Sequence, residues 1–222
     1  MDSSALFSIR LSVQVALTAT CLVVPVGIFF SYVLARKNFR GKDLLDIMLT
    51  LPLVLPPTVT GYYLVVLFGR NGPLGGPIYD LTGWTIMFTW QAAVLASFVV
   101  SMPLMVKTGR AAIETVDPQL IDVSSTLGHS EVNTVFKVIL PLARNGLIAG
   151  ASLSFARAMG EFGATLMLAG NIPGRTDTAP LSIYSYASNG DWSSANGMVL
   201  LFTIVSGIFL YISIRSSDRI FR

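Results

Sequence analysis

Four long runs of residues without Asp, Glu, Lys or Arg constrain the fold of this chain more than any other feature. They cover residues 11–35, 47–69, 81–106 and 192–214. A helix needs about 20 residues to cross the ~30 Å hydrocarbon core of a bilayer, so each run is long enough to span it. The runs are continuously apolar, whereas transmembrane strands alternate in hydrophobicity over about 10 residues. The sequence therefore predicts membrane-spanning helices.

A fifth region, residues 145–170, is interrupted only by Arg157 and Glu161, and we interpret it as a span with two embedded charges. Composition agrees, because only 12% of the residues are charged, about half the ~25% of soluble proteins. We predict an all-α integral membrane protein with five transmembrane helices, forming a single domain over residues 1–222. The start of the chain lacks the basic segment of a signal peptide, so the first run is expected to be a retained helix.

The distribution of basic residues predicts the orientation in the membrane. Five spans place the two termini on opposite sides. Eleven of the fifteen Lys and Arg residues fall on the side that holds residues 36–42, 107–144 and the C-terminus, and three fall on the other side. Basic residues concentrate in cytoplasmic loops, so we expect the N-terminus outside and the C-terminus in the cytoplasm. The same bias explains the excess of positive charge without nucleic acid as a partner.

The longest hydrophilic stretch, residues 107–144, is then a cytoplasmic loop, and it contains residues that typically begin and end helices. Asp117 followed by Pro118 is a helix start, and Gly128 is a plausible end for the short helix after it. Ser130 can cap a second short helix through Lys137, before Pro141. No phosphate-binding loop ending in Lys-Ser or Lys-Thr is present in the sequence. A helical projection on a protein without an ATPase motif predicts docking to a separate motor.

The spacing within this loop resembles the signature of binding-protein-dependent ABC importer permeases. That signature is Glu-Ala-Ala, three residues, Gly, nine residues, then Ile-x-Leu-Pro. Here the corresponding positions are Asp122, Val123, Ser124, Gly128, Val138, Leu140 and Pro141. The spacing matches throughout; Gly, Leu and Pro are kept, and the other positions are substituted. The resemblance implies a type I ABC importer permease fold, in which this stretch forms the coupling helix that contacts the ATPase subunit.

Five further segments resemble the molybdate branch of that family. They are ARKNFRGK at 35–42, LPLVLPPTVTG at 51–61, GRNGPLG at 69–75, FARAMGEFGAT at 155–165 and AGNIPGRT at 169–176. The resemblance implies import of molybdate across a bacterial inner membrane. Its implied partners are a second copy of the chain, two cytoplasmic ATPases and an extracytoplasmic molybdate-binding protein. ATP and Mg²⁺ would belong to the ATPase, so this subunit is expected to be no enzyme and to hold no cofactor or metal.

The second run carries a cluster of prolines that predicts a break inside the membrane. Pro removes a backbone donor and clashes with the preceding helical turn, and broken helices in lipid persist only against protein or a water-filled cavity. Pro56, Pro57, Thr58 and Thr60 are therefore candidates for the substrate pathway, with a kinked packing helix as the alternative.

Arg157 and Glu161 are four residues apart, so a helix would place them on one face within reach of each other. We expect them near the middle of the fourth span, facing protein, because a charge at the bilayer centre costs about 2.5–3.5 kcal/mol. The pair either lies beside the anion path or fixes two helices together, and we favour the second hypothesis. A small-residue face at Gly146, Gly150, Ser154 and Ala158 predicts close packing within the subunit or across a dimer.

Three functional alternatives remain open at this stage. Tungstate and sulfate permeases share parts of the same motifs, so the substrate can be another tetrahedral oxyanion. A small secondary transporter driven by an ion gradient would need neither ATP nor a binding protein. A membrane enzyme is disfavoured, because the single His leaves no nucleophile–base set.

Overall fold

A computed structural model describes residues 3–220, with side chains described for 4–211 and Arg215. Within these limits the chain is helical and contains no strand. The helices are α1 (Ser3–Arg36), α2 (Lys42–Val54), α3 (Pro57–Phe68), α4 (Gly75–Thr82), α5 (Trp90–Glu114), α6 (Pro118–Thr126), α7 (Glu131–Thr134), α8 (Leu140–Met159), α9 (Gly163–Ala169), α10 (Ala179–Ser188) and α11 (Trp192–Ile220). A π-helical turn, Val135–Ile139, joins α7 to α8.

Four helical segments within residues 3–220 are long and apolar enough to cross a membrane, and α2 with α3 adds a fifth when the bent pair counts as one span. The all-helical fold predicted from the charge-free runs is therefore confirmed. The second run is not one continuous helix, since the chain turns by 119° between α2 and α3.

The centre of the bundle is formed by α1, α5 and α8. A Cβ atom at Gly146 would overlap Ala112 of α5, and one at Gly150 would lie 3.1 Å from the Met105 sulfur. Ser154 Oγ donates to the Ser101 carbonyl at 3.3 Å. The small-residue face of α8 thus lets α8 approach α5 within one subunit, one of the two roles that the sequence left open.

The third span begins at Trp90 instead of residue 81. Gly83 ends α4 in the left-handed region with φ +67°, and the Thr89 side chain caps α5 by accepting from the Ala92 amide at 3.3 Å. The nine residues before Trp90 are uncharged without being part of that helix. Absence of charge alone does not separate a helix from an apolar turn.

The helix that contains most of the predicted fourth span, 145–170, has different limits in the structure. The helical segment that can cross the membrane is Glu131–Met159, so the short helix expected from Ser130 to Lys137 continues into the span. The segment ends before Gly160, and α9 follows as a separate helix. Arg157 therefore lies in the last turn of α8 and Glu161 beyond it, which corrects their expected place near mid-span.

Candidate functional site

The first candidate site is residues 107–144, in which the sequence predicts the coupling helix and which we call the coupling loop. Its short helix α6 is fixed by local capping. The Asp117 side chain accepts from the Gln119 amide at 2.9 Å, and Pro118 begins the helix. Gly128 lies just after the helix with φ +81°, a conformation that glycine adopts without the steric cost of a Cβ. The Ser130 side chain then accepts from the Asn133 amide at 3.4 Å to begin α7.

The side chains of α6 divide into a buried and an exposed set. The Ser124 and Thr134 hydroxyls lie 2.9 Å apart, and both residues are buried, which fixes α6 against α7. Asp122 and Val123 are exposed. Val123 belongs to a set of exposed apolar side chains on and after α6 and α7, formed by Leu120, Val123, Leu127, Val132 and Phe136. Large exposed apolar patches are typical of protein or membrane interaction sites.

Leu140 and Pro141 begin α8 without separating it from the preceding turn. Pro141 has no amide hydrogen and cannot bond the carbonyl four residues earlier. The chain accommodates this with the π-helical turn, in which the Leu140 amide donates to the Val135 carbonyl. Pro141 thus introduces a local irregularity into a helical segment that continues from α7 into α8. The sequence had predicted that the helix would end before the span.

The second candidate site is the break between α2 and α3. Leu55 and Pro56 are extended, with ψ values of 142° and 136°. Each of them precedes a proline, and a residue before proline is sterically disfavoured in the helical region. Pro57 then occupies the first turn of α3, where its missing amide hydrogen costs nothing. The residues at the break, Pro56, Pro57 and Thr58, are exposed.

A second helix break follows α8 and is organised by Glu161. Its Oε1 accepts from the Ala164 amide at 2.7 Å and so caps α9, while its Oε2 lies 2.7 Å from Nη1 of Arg157. The Glu161 side chain is 1% exposed and that of Arg157 is 28% exposed. The predicted contact between the two residues is confirmed, and Glu161 additionally connects the end of α8 to the start of α9.

The two breaks lie against each other through close contacts between α3 and α9. A Cβ at Gly163 would lie 3.0 Å from the Pro57 Cβ, and one at Gly61 would lie 2.8 Å from the Ala164 Cα. Thr60 is buried at this contact, and its hydroxyl has no hydrogen-bond partner among the described residues. Of the predicted pathway residues, Thr58 is therefore at the surface of the subunit and Thr60 is enclosed.

The loop after α9 is bound to the first part of α1 by polar contacts that sequence reasoning missed. Asp177 accepts from Ser8 Oγ at 3.1 Å and from the Gly174 amide at 2.9 Å, and Ser12 Oγ accepts from the Ala179 amide at 2.7 Å. Burial raises the pKa of Asp177 despite these hydrogen bonds. The available signal was the four-residue spacing of Ser4, Ser8 and Ser12 on a mostly apolar helix. Within residues 171–180 only residues 173–175 are exposed.

In the described part of the chain, no three His, Cys, Asp or Glu side chains are grouped so that they could hold a metal ion. The two candidate sites instead consist of an apolar surface and paired helix breaks. These features are suited to mechanical contact and passage of a solute.

Comparison with protein families gives a match over residues 24–222 to the family described as the binding-protein-dependent transport system inner membrane component. The match covers most of the chain. This chain belongs to that family of transport permeases.

Curated relatives of this permease extend over nearly its full length. It is 44% identical over 207 residues to the molybdenum transport system permease protein ModB of Escherichia coli strain K12, covering 93% of this chain and 90% of that protein. It is 42% identical over 198 residues to ModB of Haemophilus influenzae, covering 89% and 86%. A putative molybdenum transport system permease protein of Bacillus subtilis, YvgM, is 40% identical over 201 residues, covering 90% and 88%.

Solved structures share the fold of this permease at low sequence identity. A chain of the MetNI methionine ABC transporter in an inward facing conformation aligns with a TM-score of 0.74 at 16% identity, covering 100% of both chains. A chain of a bacterial alginate ABC transporter in complex with a periplasmic protein aligns with a TM-score of 0.80 at 12% identity, covering 99% of this chain and 80% of that one. The expected type I ABC importer permease fold is confirmed.

Proposed function

We propose that this permease forms the membrane pathway of an ATP-driven importer for molybdate. The observation that supports molybdate as the substrate is the 44% identity to a molybdenum transport permease over 93% of the chain. On this proposal the subunit hydrolyses nothing itself and holds no cofactor. ATP and Mg²⁺ are bound by a partner ATPase, and molybdate is delivered by an extracytoplasmic binding protein.

The coupling loop supports docking of the ATPase at the cytoplasmic face. The exposed apolar side chains of α6, with Asp122 beside them, form a surface whose burial against a partner protein would be favourable. The Ser124–Thr134 contact and the two caps make this surface rigid, so that a displacement of the docked ATPase moves α6 as a body. Because α6 lies between α5 and the α7–α8 segment, its movement reaches both of these spans.

The helix breaks support a passage that attracts the anion only weakly. Thr58 and the exposed prolines can line a path at the surface of the subunit, where a second copy would face them. Arg157 is neutralised by Glu161, which offsets its attraction for an oxyanion. A transporter must release its substrate, so we place the selective site on the binding protein and assign the Arg157–Glu161 pair a structural role.

The assembly that we propose contains two permeases, two ATPases and one binding protein in a bacterial inner membrane. The N-terminus lies outside and the C-terminus in the cytoplasm, following the bias of basic residues toward residues 36–42 and 107–144. Tungstate and sulfate are the alternative substrates, since both are tetrahedral oxyanions.

A docking variant tests the ATPase interface. Val123→Arg places a charge in the exposed apolar surface of α6, and we expect it to abolish co-purification of the ATPase subunit with the permease. Ser125→Arg is the matched control, because Ser125 is exposed on the same helix without being part of the apolar set. Equal recovery of the ATPase with Val123→Arg and with the unsubstituted chain would contradict the proposed docking surface.

A further inference from the structure

The cytoplasmic end of α1 contacts both ends of the coupling loop. The contacts are made by Tyr32 and Arg36 of α1 and by Lys37, the residue after it, and we call these three residues the α1 clamp. None of them belongs to the signature that identified the loop. Their contacts join a helix at the start of the chain to the segment on which we place the ATPase.

Arg36 contacts the segment between the end of α5 and the start of α6. Its Nη2 donates to the Ile113 carbonyl at 2.9 Å and to the Val116 carbonyl at 2.8 Å. Ile113 lies in the last turn of α5, where backbone carbonyls lack helical partners, and Val116 directly precedes the Asp117 cap of α6. A guanidinium at this position satisfies two acceptors and interacts favourably with the negative end of the helix dipole.

Tyr32 and Lys37 both contact Glu131, the first residue of α7. The Tyr32 hydroxyl donates to Glu131 Oε1 at 2.6 Å, and the Lys37 ammonium forms an ion pair with the same carboxylate. The Ser124–Thr134 contact joins α6 to α7. Hydrogen bonds and one ion pair thus connect the end of α1 with the segment between α5 and α6 and with α7.

Further along, α1 packs closely on α5. A Cβ at Gly109 would lie 2.5 Å from Ser31 Oγ, and this hydroxyl donates to the Val106 carbonyl at 3.0 Å. Any force that reaches α1 at its cytoplasmic end is therefore passed into the centre of the bundle. Continuity of the chain gives α6 a route into α5 and α8 only.

We propose that the α1 clamp is the connection by which movement of the docked ATPase reaches α1, with Glu131 as its main positioning residue. This inference rests on the proposed docking of an ATPase to the coupling loop. Exposed ion pairs contribute little to stability, and Lys37 and Glu131 are both largely exposed. The loss of the clamp should therefore appear as loss of coupling while the permease still folds and assembles.

The test uses the complete transporter reconstituted with its ATPase and binding protein, and it measures molybdate uptake per ATP hydrolysed. We expect Glu131→Ala to lower this ratio by between about twofold and 30-fold, the range for substitutions along a coupling route. Tyr32→Phe, which removes one hydrogen bond, should give a smaller reduction. Exchanging the charges with Lys37→Glu and Glu131→Lys together should restore part of the ratio that either single change removes.

The control is Glu114→Ala, which removes a carboxylate that pairs with Arg110 of the same helix rather than with the α1 clamp. It should leave the ratio unchanged. If Glu131→Ala also leaves the ratio unchanged while Val123→Arg prevents ATPase binding, the docking proposal holds and the α1 clamp is refuted. If Val123→Arg leaves ATPase binding intact, the docking proposal fails and the α1 clamp fails with it.

Discussion

Removing the Arg157 guanidinium should destabilise this permease more than removing both charges of the Arg157–Glu161 pair. The two side chains lie 2.7 Å apart, and Glu161 is 1% exposed. Arg157→Ala would leave that carboxylate buried without its cation. Breaking a buried pair from one side costs about 3–5 kcal/mol, and the 28% exposure of Arg157 reduces our expectation to about 2–4 kcal/mol.

Substitutions at Glu161 separate its two contacts. Glu161→Gln keeps an oxygen that can accept from the Ala164 amide and cap α9, whereas Glu161→Ala also loses that cap, at a further cost of about 1 kcal/mol. In the double variant Arg157→Ala/Glu161→Gln no charge remains unpaired, so it should recover about 1–3 kcal/mol relative to Arg157→Ala alone.

The assay is reversible unfolding of the purified permease in mixed micelles, followed by circular dichroism. Arg175→Ala is the matched control, since it removes an exposed guanidinium, and it should change the free energy of unfolding by less than about 0.5 kcal/mol. Strict additivity of the Arg157 and Glu161 substitutions would refute the reasoning. A changed preference among anions in a fully stable Arg157→Ala transporter would instead place this residue on the path.

Three further predictions concern the coupling loop, the helix breaks and the loop after α9. Gly128→Asp adds a charge beside α6 at φ +81° and should uncouple ATP hydrolysis from uptake, whereas Gly128→Asn should retain coupling, because Asn tolerates that conformation. Gly163→Val would overlap Pro57, 3.0 Å from its Cβ, and should lower the free energy of unfolding by about 1–3 kcal/mol; Gly160→Ala, with its nearest neighbour 3.9 Å away, should not. Burial raises the pKa of Asp177, so the folded protein binds a proton at this carboxyl more readily than the unfolded chain does. The free energy of unfolding should therefore fall as the pH rises above about 4. Asp177→Asn should remove this dependence when unfolding is measured as a function of pH.

The parts of this structure that sequence could predict are those determined by neighbouring residues. The cap at Asp117 and the left-handed Gly128 each depend on a few adjacent positions, and both lie where the sequence placed them. The prolines at 56 and 57 likewise predict a broken helix, because their steric effects are local. The 119° turn between α2 and α3 depends on what each half packs against, and the sequence does not specify this.

The parts that sequence could not predict depend on contacts between distant segments. Gly160 gave no warning of a break, because glycine is common in membrane helices. The break becomes evident only when Glu161 is seen to cap α9. Asp177 and Ser8 are 169 positions apart, so their contact could not be predicted from neighbouring residues. The α1 clamp was missed for the same reason, since Glu131 and Tyr32 approach each other only after α1, α5 and α7 have packed.

The most direct test of the account is molybdate accumulation by proteoliposomes that contain the permease and its ATPase, with binding protein outside and ATP inside. We predict uptake that requires both ATP and binding protein, that persists when ion gradients are collapsed, and that tungstate inhibits more strongly than sulfate. Uptake driven by an ion gradient without ATP would contradict the central claim, and preferential uptake of sulfate would contradict the assignment of the substrate.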